Sequence, residues 1–595
     1  MTVPPPWLRF DSALPAGASS PLVFAEPDRV VEARTLAEVV PALREVQQAT
    51  DAGLWAAGFV AYEAAPAFDP AMAVAARDPD DPLPLVWFGL FERPHHAGPL
   101  PVADPGPLPP WAPTTNRAAY DRAVAAIRAA IARGDTYQVN HTLRLRGDWP
   151  AGDRDADLAH YARLRRAQAP AYAAYLDLGR HRVVSVSPEL FFTRSGTTVT
   201  TRPMKGTWSR GRWPEEDAAH ARALQSSAKD RAENVMIVDL LRNDLGRLAV
   251  PGTTEVGDLC TLERYPTVWQ LTSTVSARVP AATTLPDLFG ALFPCGSVTG
   301  APKIATMRLI AELEPSPRGV YCGAVGVVAP GGDATFCVAI RTVVIDSATG
   351  TAEYGVGGGV TWDSSAASEY AELLAKARVL QAEAPTFDLL ETLRLSRGTY
   401  PLRHRHLERL RGSADWFGRP DPLAAAESAL DAAAAAHPSG EWRVRLLVAA
   451  DGRARTEAYP LEPALPVPQP VLLAHAPVRS SEVFLQHKTT HRAVYAPARR
   501  QLAEHPGAYD VLLHNERGEL TEFSTGNVVL RLDGRDVTPP RDVGLLGGVQ
   551  RAEALASGRV AERVLRLADL DRAEAVWLLN GVRGWVAVEL VPGTR

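Results

Sequence analysis

The sequence predicts a mixed α and β protein of the α+β class in two major units, and three observations carry this. At 595 residues the chain exceeds what one hydrophobic core holds, so about two to four domains are expected. Strand-like runs at 320–329 and 335–345 alternate with runs at 118–131, 232–241 and 368–380 whose apolar residues recur every three or four positions. At 381–387 (QAEAPTF) a long helical pattern stops and a new alternating segment, FDLLETLRL, begins. The expected domains are 1–384 and 385–595, the second in subdomains 385–465 and 466–595.

Other stretches punctuate this plan. Residues 93–113 (RPHHAGPLPVADPGPLPPWAP) are proline-rich and read as an extended connection. The alanine-rich run 424–436 is an amphipathic helix without chemistry, and 460–470 (PLEPALPVPQP) is a short stiff linker within the second unit. No fixed-period repeat is visible.

Composition narrows the function classes. Hydrophobic content of 46% and charged content of 22% are those of an ordinary soluble domain. A net charge of -5, spread along the chain, makes no electrostatic case for nucleic acid or an anionic membrane. Cys260, Cys295, Cys322 and Cys337 show no CxxC spacing, which argues against a disulfide frame or structural zinc and for a reducing compartment. MTVPPPWLRFD lacks the pattern of a signal peptide, and no apolar run approaches the roughly 20 residues of a membrane helix, so a cytoplasmic protein is expected.

In the first half, Lys205 of Arg202-Pro203-Met204-Lys205-Gly206-Thr207 follows Glu189 of Ser187-Pro188-Glu189 by sixteen residues. Both read as lying where a strand gives way to a turn. A lysine beside an acid in a cleft can be a nucleophile once desolvation or a nearby cation lowers its pKa from about 10; taken alone, such a residue is more often a surface lysine in a turn. Asp230 with Glu233, and Glu369 with Glu372, each place two carboxylates on one helix face. Opposed, the two faces suit Mg²⁺; separately, they also fit solvated faces paired to Lys229, Arg231 and Lys376. Gly357-Gly358-Gly359, Arg341 in AIRTVV, and the turn from Gly296 to Lys303 (GSVTGAPK) suit a bound carboxylate.

SPELF, RPMKGT, AENVMIVDLLRNDLGR, GSVTGAPK, IRT, GGG and EYAELLAK resemble, in order and spacing, the chorismate-utilising enzymes, over about 10–380. The resemblance implies that family's fold, helices around a β-sheet sandwich core. Anthranilate synthases usually carry Ala at the Lys205 position, whereas aminodeoxychorismate synthases carry Lys. The lysine that activates water in the isochorismate and salicylate branch is replaced here by Gln138. Both positions imply the aminodeoxychorismate synthase branch, with chorismate as substrate. Lys205 would be the nucleophile and Glu189 the acid that protonates the departing hydroxyl. Glu233 and Glu372 would bind Mg²⁺ directly and Asp230 and Glu369 through water, while Tyr321, Arg341, Gly358, Thr299 and Lys376 would contact substrate. Gln270 stands where relatives often have His. No Gly-x-Cys-x-Gly turn marks a glutaminase, so a separate glutamine amidotransferase subunit is implied as the ammonia source. The family's tryptophan pocket would lie near Asp11-Ser12 and 170–172.

In the second half, HLERLRGSA, HKTTHR, TEFSTGN and GLLGGVQR resemble the fold-type IV pyridoxal phosphate enzymes over about 387–590, which implies a two-subdomain fold like that of D-amino-acid aminotransferase. That cofactor needs an amine, a carboxylate for its pyridine nitrogen and a phosphate cup. By resemblance these are Lys488, Glu522, and Arg409 with the amides of Gly548, Val549 and Gln550; relatives usually have Thr or Ser at the Gln550 position. The fold contains branched-chain and D-amino-acid aminotransferases as well as aminodeoxychorismate lyase. Linkage to a synthase favours the lyase, and a homodimer through the second half is implied by analogy. A synthase fused to a true aminotransferase, an anthranilate synthase-like first half, and a first half that only docks an amidotransferase remain as alternatives.

Overall fold

A computed structural model describes residues 5–11, 21–101, 105, 108–150, 152–381, 385–462 and 468–591. Parts of three expected connections (102–104 and 106–107, 382–384, and 463–467) lie outside the described residues, as does Ser12 of the expected tryptophan pocket. Contacts divide the chain into one unit of 1–209 with 221–384 and another of 210–220 with 385–595. Residues 210–220, which sequence assigned to the first domain, thus fold with the second.

The first unit contains two ten-stranded sheets, antiparallel throughout. Between them lies an apolar layer in which Phe10, Phe24 and Leu176 of one sheet meet Phe59, Trp87 and Val325 of the other. Helices cover the outer faces. Arg117–Arg133 is capped by the Asn116 side chain and buries Tyr120, Val124 and Ile127, at the predicted spacing, against the first sheet. Ala228–Gly246 is capped by Ser227 and buries Ile237, Val238, Leu241 and Leu245 against the second. Helices around a β-sandwich is the expected architecture.

The run 335–345 is not one strand. Ala334–Val338 belongs to the second sheet and Thr342–Asp346 to the first, and the chain crosses between them at Arg341, whose φ is +51°. A second crossing lies beside it. His181–Ser187 is in the first sheet, Leu190–Ser195 in the second, and Pro188-Glu189 joins them. Val338 N donates to Glu189 O (3.1 Å), Ser187 Oγ to Val338 O (2.6 Å) and Val186 N to Arg341 O (3.1 Å), so the crossings are bonded to each other. Gly357-Gly358-Gly359, read as suiting a bound carboxylate, lies in the strand Thr351–Val360, paired with Thr142, His141 and Asn140.

In the second unit, the sheet Leu389–Ser396, Glu441–Val448 and Ala454–Pro460 packs on helices Arg403–Trp416 and Leu423–Ala436. An eight-stranded sheet follows. In it Leu520–Phe523 pairs with both Asp510–His514 and Gly526–Leu532, and Gly584–Leu590 pairs with both Gln469–Leu473 and Ala575–Asn580, so the sheet closes into a ring. The four cysteines are free and buried, and among the described residues no helix is long and apolar enough to cross a membrane.

Phe289 is fully buried, with Phe191, Phe192 and Phe336 packed around its ring at centroid distances of 5.9, 5.6 and 5.2 Å. Phe289→Ala is expected to cost about 3–5 kcal/mol, read as a lowered midpoint for the unfolding transition of the first unit in denaturant.

Candidate functional site

The two crossings open onto a cavity of about 210 Å³ in the first unit, whose walls include Glu189, Lys205, Tyr321 and Arg341. Lys205 comes from the strand Met204–Ser209, and the ladder joining it to Val268–Arg278 breaks register between Met204 and Thr207. Side chains hold the irregular stretch instead. Asn234 Nδ2 reaches Lys205 O (3.5 Å), Gln270 Nε2 donates to Gly206 O (3.1 Å), and Thr207 Oγ1 donates to Gln270 Oε1 (2.7 Å). Gln270, the departure noted in sequence, therefore braces the lysine's strand.

Burial dominates the electrostatics. It pushes the Glu189 carboxyl up to about 7, against the Ser297 hydroxyl, the Lys205 charge and the Met204 amide, which favour ionisation. Glu189 Oε1 has no hydrogen-bond partner among the described residues. Burial, then the charge of Lys376, pushes Lys205 below the ordinary lysine range, while Glu189, Glu233 and Glu372 pull it back. The amine and the acid thus lie in each other's field. Gly359 makes room for the amine, because a Cβ there would stand 3.3 Å from Lys205 Nζ and 2.1 Å from Gln138 Nε2.

All four predicted metal carboxylates line this cavity. Burial raises Glu233, with Asp230 and Glu369 adding to it; burial raises Glu369, with Glu372 adding. Glu372 is held down, despite burial, by Lys376, whose Nζ lies 2.8 Å from it. No three acidic, His or Cys side chains among the described residues converge on one point. An all-oxygen donor set with mutually repelling carboxylates fits Mg²⁺ held partly through water.

The substrate contacts expected from sequence divide. Tyr321 is buried under the guanidinium of Arg144, and Arg341 is braced by Gln168. Lys376 lines the cavity but is occupied by Glu372 and by Gly357 O (2.9 Å). Thr299 is corrected: its hydroxyl donates back to Cys295 O (3.2 Å) and Gly296 O (3.3 Å), and Ser297 and Val298 form the wall in its place. Gly358 faces the acid cluster, since a Cβ there would stand 3.3 Å from Glu369 Oε2 and 3.7 Å from Lys376 Nζ. Asn140, Asn234 and Ser297 were missed in sequence, although Asn234 adjoins Glu233 on the same helix and Ser297 lies within the GSVTGAPK turn.

In the second unit, burial and then Arg409 and Arg492 lower Lys488 to about 8, opposed by Glu391 and Glu522. Burial raises Glu522 to about 7, although Tyr495 Oη (2.7 Å), Leu546 N (3.1 Å) and Asn527 Nδ2 (3.4 Å) all donate to it. Arg409 is engaged by both oxygens of Glu391, a buried partner absent from the sequence reading, and reaches Gly547 O (3.2 Å). Gly548 precedes the helix Val549–Ala556, and a Cβ there would stand 1.9 Å from Asn527 Oδ1. Gln550 is half-buried in the first turn of that helix. A buried amine, a buried acid within its field, an arginine and a helix N-terminus fit pyridoxal phosphate.

Residues 97–382 match the family described as chorismate binding enzyme, and residues 388–591 the family described as amino-transferase class IV. Over 266 residues the chain is 39% identical to aminodeoxychorismate synthase component 1 of Salmonella typhimurium, covering 45% of this chain and 57% of that protein. Over 271 residues it is 42% identical to anthranilate synthase component 1 of Streptomyces coelicolor, covering 45% of this chain and 52% of that one. The crystal structure of anthranilate synthase component I from Streptococcus pneumoniae superposes with a TM-score of 0.51 at 25% identity, covering 64% of this chain and 93% of that chain. The chain spans about half the length of the curated relatives it matches. Identity alone does not separate the two synthase branches.

Gln270→Ala removes both bonds that brace Gly206 and Thr207. The expected result is a loss of about 1–3 kcal/mol in the stability of the first unit, read as a lowered midpoint for its unfolding in denaturant.

Proposed function

Because the chain joins a chorismate binding enzyme region to an amino-transferase class IV region, we propose that it makes 4-aminobenzoate in two steps. Chorismate and ammonia give 4-amino-4-deoxychorismate, and loss of pyruvate then gives 4-aminobenzoate for folate synthesis. The observation that carries this is the presence of Lys205, Glu189 and four carboxylates on one cavity.

In the first step the neutral Lys205 amine forms a C–N bond to the ring. The ring double bonds shift, the C–O bond breaks, and Glu189 delivers its proton so that water leaves rather than hydroxide. Ammonia then forms its own C–N bond as the bond to the lysine breaks, and the surplus proton on the added nitrogen returns to Glu189. Glu233, Glu372, Asp230 and Glu369 would hold Mg²⁺, which supplies a positive charge for the ring carboxylate. Arg341 and Tyr321 orient the substrate. A glutamine amidotransferase supplies the ammonia.

In the second step Lys488 takes the ring proton and returns it to the departing pyruvate unit. Glu522, held by Tyr495 and Asn527, would face the pyridine nitrogen as its carboxylate partner, and Arg409 with the amides at 548–550 would hold the phosphate. Pyridoxal phosphate, when bound, supplies the electron sink for the carbanion.

Full-length protein given chorismate, ammonium, Mg²⁺ and pyridoxal phosphate should release 4-aminobenzoate and pyruvate in equal amounts. Release of anthranilate, or amino transfer from branched-chain or D-amino acids to an oxo acid, would refute the respective half. Lys205→Ala should abolish amination; undiminished turnover rules out the nucleophile role.

Glu189 must be protonated, a state lost as pH rises through about 7. Lys205 must be neutral, a state gained as pH rises. A bell-shaped kcat profile is therefore expected, and Glu189→Gln should lose its alkaline limb along with about 100-fold or more in rate. With Lys488→Ala, 4-amino-4-deoxychorismate should accumulate; normal 4-aminobenzoate release would exclude the lyase role.

A further inference from the structure

We infer that residues 210–220 are a positioning element of the second unit, holding the imidazole of His487 and through it the backbone that carries Lys488. The inference rests on the reading of Lys488 as the cofactor's amine. The segment lies inside the chorismate binding enzyme match, outside the class IV match at 388–591, and yet folds with the second unit.

The segment is closed on itself by a buried ion pair. Arg210 Nε and Nη2 donate to the two oxygens of Asp217 (2.7 and 2.6 Å), and Gly211 N adds a third bond to that carboxylate (2.9 Å). Trp416 grips the loop, its Nε1 donating to Gly211 O (2.8 Å) while Arg210 Nη2 donates to Trp416 O (3.0 Å) and stacks 4.6 Å from the ring. Arg212 Nη1 fastens it further to Ser480 O and Asp542 O, each at 3.0 Å.

This anchoring aims one carbonyl. Arg212 O lies 3.0 Å from His487 Nε2, and Ser413 Oγ lies 2.9 Å from Nδ1. A carbonyl only accepts, so Nε2 carries the proton and Nδ1 accepts from Ser413. The ring is 2% exposed and packs against Trp416 (4.8 Å) and Phe417 (4.9 Å). Burial, with Arg541 next, pushes it down to about 3, which keeps it neutral. The next residue is Lys488, whose carbonyl accepts from Leu390 N (3.0 Å). Its backbone is therefore fixed on one side by a strand of the small sheet and on the other by the inserted segment.

The test uses the full-length protein stripped of cofactor and titrated with pyridoxal phosphate, reading Kd and the pH midpoint of the visible band. His487→Phe keeps the ring's bulk but loses two hydrogen bonds, so an increase in Kd of about ten-fold and a moved midpoint are expected. His487→Gln, which retains a donor and an acceptor, should stay within about three-fold of wild type, a difference under 1 kcal/mol. Arg210→Ala should follow His487→Phe; if it does not fold by circular dichroism, the two His487 variants decide. Wild-type Kd and midpoint in His487→Phe overturn the inference while leaving Lys488 in its role. Absence of any visible band in the wild type would instead remove the Lys488 reading itself.

Discussion

Taking an ammonium or a carboxylate out of water costs several kcal/mol, and this chain does so repeatedly where chemistry is needed. Lys205 and Lys488 are both pushed below the ordinary lysine range by burial, while Glu189 and Glu522 are both raised to about 7. Two unrelated architectures thus reach one electrostatic solution, a buried amine lowered and a buried acid raised within each other's field. Surface placement of the same residues would leave each lysine charged and each glutamate ionised, without reactivity.

In the first unit that burial follows from topology. Glu189 and Arg341 occupy the points where neighbouring strands leave one sheet for the other, so each is held by backbone on both sides while its side chain meets the cavity. Lys205 occupies the analogous irregularity in its own strand. Regular ladders would have sent these side chains alternately into the apolar layer or to the outer faces. Interruptions of the pleat are what turn them toward one another, and Gln270 and Asn234 replace the missing ladder bonds.

The sequence made legible whatever local periodicity or motif order encodes. Helices at 117–133, 228–246 and 366–377 emerged from three- and four-residue spacing, and the residues gathered around Lys205 emerged from family resemblance. The split at 339–341 did not, because apolar alternation runs through it and only the sheet partners change. Thr299 was named from the motif, which does not tell which hydroxyl turns back on its own loop. Glu391, which pairs with Arg409, and residues 210–220, which fold with a distant part of the chain, depend on contacts that no local pattern announces.

The ring of strands in the second unit has a consequence for the nascent chain. Gln469–Leu473 has one parallel neighbour, Asp510–His514, soon after it in the chain, but the other, Gly584–Leu590, begins 111 residues later. At about 5–20 residues per second this is a delay of roughly 6–22 s. During it Gln469–Leu473 keeps one open edge, the kind of surface that invites pairing with another polypeptide. That edge disappears only once the last strand of the ring has been made.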